Sequence, residues 1–313
     1  MKLKFLLSLP FVFAALTLSA APKDTVPTWV DPKVAFEEHP DFNIQGEYTS
    51  GEGASRRGLQ AAALDEGKFH VLEYVGGLPG AGWDGSEVKA AIMERDALEG
   101  QLEEMKKIER KSPTMGKDAP SGALVIFNGK PTSYIKGEIE DELLWAGAET
   151  TTPVGDFFMH VEFRLPYKPS RNLSSQDRGN SGLYVFNSYE IQILDSFGLD
   201  FNKENNAVET ESENAQWCGS FYKFKTPDVP MAFPPLQWQT YDIEYTAPKF
   251  EEEKKVANAR FTIRHNGMII HDDVELEAGT GAGGKRPEAA EGLIFFQGHG
   301  NPVAFRNVWL EKR

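Results

Sequence analysis

The chain has 313 residues, with 33 Lys and Arg against 47 Asp and Glu, a formal net charge of −14. That balance argues against a nucleic-acid backbone as the main partner, and the lone cysteine, Cys218, excludes an intramolecular disulfide framework or a clustered-cysteine metal site. With 29 Gly, 19 Pro and 12% aromatic residues, the composition suits a turn-rich β protein.

Residues 1–20 read as a secretory signal peptide. Lys2 and Lys4 precede an apolar run from Leu6 to Leu18, and Leu18-Ser19-Ala20 offers a cleavage point. A transmembrane anchor is the alternative, but the run is short for one. The reading therefore places the mature protein outside the cell or in the periplasm. Residues 21–45 are Pro-containing and weakly patterned, and read as an extended lead-in.

Residues 46–120 read as a small β-rich accessory module and linker. Leu59–Ala63 and Phe69–Val75 look like strands, followed by a glycine-rich turn region around Trp83. Between Glu87 and Lys111, Leu98, Leu102, Met105 and Ile108 recur at helical spacing, which predicts a surface helix. Gly100 weakens that helix, and charged edge strands are the alternative. Lys111 to Pro120 is a linker by composition.

From residue 121 the pattern is β. FFMHVEFRL at 157–165 and YEIQIL at 189–194 alternate strictly, with Ile191 and Ile193 opposite Glu190 and Gln192. Further strands are expected at Leu124–Phe127, Gly182–Phe186, Trp238–Tyr245, Ala259–His265, Met268–His271, Leu293–Gln297 and Phe305–Leu310. His265-Asn266-Gly267 signals a tight turn. The set implies a two-sheet sandwich over 121–313. The glycine run at 279–284 lacks the strand–helix context of a phosphate loop and reads as a flexible loop.

Polar residues on outward faces are the candidate chemistry. Glu190 and Gln192 share one such face, and His160, Glu162 and Arg164 another. If both strands border one cleft, these residues form its floor. A plain exposed carboxylate is the alternative for Glu190, and a structural ion pair is favoured for Glu162 with Arg164. Asp195 lies five residues after Glu190, so strict alternation opposes the two unless the strand bulges. Arg178 and Asn180 sit in a glycine-flanked loop that reads either as a turn or as a sugar-binding loop. Gln297-Gly298-His299-Gly300-Asn301-Pro302 exposes His299 between glycines, which suits an acid–base role or a turn histidine. His70, His265 and His271 read as structural, and Cys218 as a buried small hydrophobe. The acidic insertion at 200–213 reads as a solvated loop, with oxygen ligands enough for a divalent cation such as calcium but no EF-hand spacing. No organic cofactor is expected.

Several phrases carry a resemblance. ALVIFNGK at 123–130, RGNSGLYVFNSYEIQILDSFG at 178–198, CGSFY at 218–222, WQTYDIEYTAPKF at 238–250, HNGMIIHDDVEL at 265–276 and QGHGNPVAFRNVWLE at 297–311 resemble the secreted bacterial 3-keto-disaccharide hydrolases. That resemblance implies a concanavalin-like jelly-roll sandwich, mainly β, with a saccharide cleft. It implies cleavage of glycosides whose sugar was oxidised at C3. Glu190, His299 and Asp195 become catalytic candidates on this likeness. Arg178, Asn180, Gln192, Gln297, Asn301, Glu162 and His160 become substrate-binding candidates. The expected partner is a small saccharide or keto-sugar, with no nucleic acid and no membrane-spanning segment. Relatives read QDHGNPV where this chain has Gly298. A non-catalytic lectin-like module is the competing class, since the fold serves both.

Overall fold

A computed structural model describes residues 26–282 and 286–313; the signal-peptide reading lies outside them. Two antiparallel sheets stack face to face. The larger runs in the order Met268–Leu276, Ala259–His265, Trp238–Thr246, Phe157–Arg164, Ala304–Lys312, Leu143–Trp145, Ile139–Glu140, with Leu124–Phe127 also on Ala304–Lys312. The smaller runs Tyr189–Ile193, Ser181–Val185, Ile294–Phe296, Ala148–Thr150, Ile135–Lys136. One core fills the space between. Phe157, Met159, Val161 and Phe163 point into it from the larger sheet, and Leu183, Val185, Ile191, Ile193 and Phe296 from the smaller. The period-two alternation of these strands is thus the direct cause of the sandwich. The tight turn is present as expected, with Asn266 and Gly267 both at positive φ, 51° and 82°.

The N-terminal part departs from two expectations. The lead-in is not extended. Asp31 accepts a hydrogen bond from the Lys33 amide at 2.7 Å and caps the helix Pro32–Glu38; the helix Pro40–Ile44 follows. Both prolines sit at helix starts, where the missing N–H costs nothing. The predicted surface helix over 87–111 is also corrected. Only Arg95–Leu102 is helical, between the strands Val88–Glu94 and Lys106–Ile108. Val88–Glu94 pairs along its length with Lys68–Val75, and that ladder outweighs the helical spacing. The resulting five-stranded sheet runs Val88–Glu94, Lys68–Val75, Arg57–Ala63, Gly46–Ser50, Lys106–Ile108.

This sheet is fastened to the sandwich. His70 Nδ1 lies 2.8 Å from the Gly198 carbonyl, and the Ala207 amide donates to His70 Nε2 at 3.0 Å. Ala62 packs with Leu173, Leu194, Phe197, Leu199 and Trp217 in one buried cluster. The linker then crosses the outer face of the larger sheet. Ser112 Oγ meets Thr240 Oγ1 at 2.6 Å, Thr114 donates to Asp242 at 2.7 Å, and the Gly116 amide donates to Glu162 at 2.6 Å.

Gly198 measures this attachment. It has φ +74°, and a Cβ there would lie 2.7 Å from the Ala62 Cβ. Gly198→Ala should lower stability by about 1–3 kcal/mol, from overpacking and left-handed strain. Urea unfolding followed by tryptophan fluorescence checks this, and an unchanged midpoint would show that the two parts do not press on each other.

Candidate functional site

The outer face of the smaller sheet carries a polar row. Inward residues of each strand belong to the core, so their neighbours must face out. Tyr184 pairs directly with Glu190 on one side and Phe295 on the other; Phe295 pairs with Glu149, and Glu149 with Lys136. The five side chains therefore cross the sheet in the order Glu190, Tyr184, Phe295, Glu149, Lys136. A groove of about 780 Å³ runs along this row. Tyr184, Phe295, Gln297, Glu149, Lys136 and Arg286 line it, and Gly137, Gly147 and Gly298 keep part of its wall free of side chains.

Glu190 lies at the closed end of the row and is 2% exposed. Gly182 makes its room: a Cβ there would come within 2.9 Å of Glu190 Oε1. The Tyr184 hydroxyl donates to Glu190 Oε2 at 2.7 Å. Burial raises the Glu190 carboxyl to about 7, against the opposing pull of the Tyr184 hydrogen bond. Burial and the neighbouring Glu190 charge hold the Tyr184 phenol well above its ordinary range. Gln297 Nε2 donates to the Tyr184 oxygen at 3.4 Å. The Oε1 atoms of Gln192 and Gln297 are buried without a hydrogen-bond partner among the described residues. Such acceptors are costly unless a ligand or water supplies a donor.

The other candidates are placed as follows. Gln192 Nε2 donates to Asn180 Oδ1 at 3.4 Å and to Gln176 Oε1 at 3.3 Å, forming a buried amide group beside Glu190. Asp195 does not join Glu190. The chain turns after Ile193, Leu194 enters the cluster around Ala62, and Asp195 accepts from Arg178 Nε at 2.7 Å with no exposure to solvent. Arg178 spends its remaining donors on the carbonyls of Lys168, Pro169, Arg171 and Ala63. It is thereby occupied as a structural cation rather than offered to a sugar. Asn301 is likewise engaged, accepting from Lys168 and from the Gly179 amide, both at 3.3 Å. His299 is exposed in the bend after Ile294–Phe296 and is not among the groove's lining residues.

His160 and Glu162 do not share a cleft floor with Glu190. They belong to the other sheet, and the outward faces of a sandwich point in opposite directions. His160 Nδ1 lies 2.7 Å from Asp242 and Nε2 3.6 Å from Glu162, beneath the linker and stacked on Trp309. Burial opposes charge on both residues. The two carboxylates nonetheless raise His160, and the nearby His160 together with hydrogen bonds from Asn307, Gly116 and Arg306 lowers Glu162 to about 2. The favoured Glu162–Arg164 pair is replaced by Glu162–Arg306, at 2.6 Å. The lone histidines are buried, with His70, His265 and His271 lowered by burial to about 4, 3 and 4. Burial also raises the Cys218 thiol to about 11, as expected of a small hydrophobe.

Among the described residues one cluster could hold a metal ion: His39, Asp41 and Asp65, with ligand atoms within 4.8 Å of one another. It lies in the N-terminal part. Asp41 is already paired with Arg95 and accepts from the Gly67 amide. Sequence reasoning missed Tyr184, Phe295, Glu149, Lys136 and Arg286. Tyr184 and Phe295 had a local signal, their parity with Gly182 and Gln297 in strands already recognised.

Comparison with known proteins supplies the family context. Residues 116–311 match the family described as the 3-keto-alpha-glucoside-1,2-lyase-like domain. A solved structure from Parabacteroides distasonis ATCC 8503, a provisionally assigned glycosyl hydrolase, is 27% identical with a TM-score of 0.51, over 62% of this chain and 85% of its own. A second from the same organism, of the same provisional assignment, is 19% identical with a TM-score of 0.44, over 61% and 94%. No curated protein matches the chain.

The Glu190 environment has a consequence for stability. A carboxyl raised on folding tolerates being protonated, and its ionisation costs stability as pH climbs past the unfolded value. Glu190→Gln should therefore raise Tm at about pH 8 by several degrees and change it little at about pH 5. Calorimetry at both pH values checks this; an equal change at both would mean that Glu190 is not held protonated.

Proposed function

The chain belongs to the family of 3-keto-alpha-glucoside-1,2-lyase-like domains, and from that premise we propose that it cleaves glycosides whose sugar carries a ketone at C3, by elimination and rehydration. The observation that carries this reading is the Tyr184–Glu190 pair at the groove: a phenol lining the cavity, bonded at 2.7 Å to a carboxyl poised near neutrality.

A C3 ketone acidifies the C2 hydrogen. In the proposed first step the Tyr184 oxygen takes the C2 proton while the phenol proton passes to the Glu190 carboxylate. The C2–H electrons move into the enolate. Donors from the groove amides, Asn187 and Gln297, receive the negative charge at the ketone oxygen. The enolate then re-forms the ketone with a C1–C2 double bond and expels the C1 oxygen. The Glu190 proton returns through Tyr184 to that leaving oxygen. Water adds across the double bond, giving net hydrolysis. The phenol never needs to persist as an anion, which its environment opposes. The orphan Oε1 of Gln297, which lines the groove, is read as an acceptor for a sugar hydroxyl. We further infer a concanavalin-like jelly-roll arrangement for the sandwich and export directed by residues 1–20.

Tyr184→Phe and Glu190→Gln should each lower kcat on a 3-keto-glucoside by at least about 100-fold. Wild-type kcat/KM should show a limb near pH 7, which Glu190→Gln removes. Product analysis on 3-keto and ordinary disaccharides checks the assignment. Binding of both without cleavage of either would favour the lectin-like alternative.

A further inference from the structure

We propose that the groove takes an anionic saccharide, whose carboxylate or phosphate is held between Lys136 and Arg286. This rests on the reading of the groove as a glycoside-cleaving site and names its substrate class.

The charge at the groove runs against that of the chain. Overall, acids outnumber bases 47 to 33. Among the groove's lining residues, two are cations, Lys136 and Arg286, and one is an acid, Glu149. Neither cation forms a hydrogen bond or ion pair among the described residues, although most arginines of this chain are paired. Lys136 even stands directly opposite Glu149 in the sheet without closing an ion pair on it. A buried carboxyl shielded by Tyr184 terminates the far end of the row. Negative charge at the groove is thus confined to Glu149 and to a carboxyl shielded by Tyr184, while positive charge is left available.

The placement suits a ring substituent. Lys136 ends the cross-sheet row, four strands from Glu190. Arg286 lines the groove together with Tyr184. Gly137, Gly147 and Gly298 lie between with no side chains to block a second sugar ring. An Arg fork matches carboxylate or phosphate with two parallel hydrogen bonds, and a lysine adds a point charge. An acidic group on the leaving sugar would reach these cations while its glycosidic oxygen lies at Tyr184.

The test uses the full chain and three 3-keto-glucosides, with glucose, glucuronate or glucose 6-phosphate as the leaving sugar. Acidic leaving sugars should raise kcat/KM about tenfold over the neutral one, and roughly 0.5 M sodium chloride should erode that preference. The two acidic arms show whether carboxylate or phosphate is the better fit. Replacing both Lys136→Ala and Arg286→Ala should cost the acidic substrates about tenfold more than the neutral one. Glu149→Gln should increase the preference by removing the opposing charge. Equal cleavage of all three, with the double variant slowing each alike, would overturn this inference and leave the proposed function standing. Cleavage of none would overturn both.

Discussion

Arg178 is a guanidinium without access to water, and much of the molecule is arranged to make that tolerable. A buried charge demands a counter-charge and a partner for every donor. Asp195 supplies the first, and four main-chain carbonyls supply the rest. Those carbonyls come from the loop at 168–171 and from Ala63 in the N-terminal sheet. One side chain therefore joins the exit of the Glu190 strand, a sandwich loop and the accessory sheet. The exit is fixed, and with it the register that sends Glu190 and Gln192 outward rather than into the core.

The same logic separates the two polar faces of the sandwich. On the larger sheet, His160, Asp242 and Glu162 are roofed by the linker, and the two carboxylates are paired with His160 and Arg306 and accept hydrogen bonds from Thr114 and Gly116. On the smaller sheet the polar row opens into a groove, where the Gln297 Oε1 and the cations Lys136 and Arg286 have no partner among the described residues. Paired carboxylates on one face serve adhesion of the linker. Unsatisfied polarity on the other is what a ligand could complete.

The sandwich was legible because its strands alternate. Glu190 and Gln192 could be placed outward from parity alone, and the tight turn from three residues. What parity cannot give is which sheet a strand enters. His160 and Glu190 look equivalent along the chain, yet they occupy opposite faces. Short strands escaped for another reason. Ile135–Lys136 and Ala148–Thr150 are too brief to show a period, so Lys136 and Glu149 carried no signal. The Arg178–Asp195 pair spans 17 positions and depends on a turn that begins where the alternation stops. The opening helices were hidden because their prolines read as breakers rather than as starts.

Gly298 acquires a steric meaning from its neighbour. Any side chain there would place its Cβ 3.0 Å from the Cα of Gly147 and 3.2 Å from its amide nitrogen. Gly147 itself holds φ +102°, which side-chain-bearing residues rarely adopt. The two positions are therefore sterically coupled: a side chain at 298 needs the opposing Gly147 backbone to give by a few tenths of an ångström. This part of the groove wall is thus shaped by two backbones in contact, while Lys136, Glu149 and Arg286 shape the rest through their side chains.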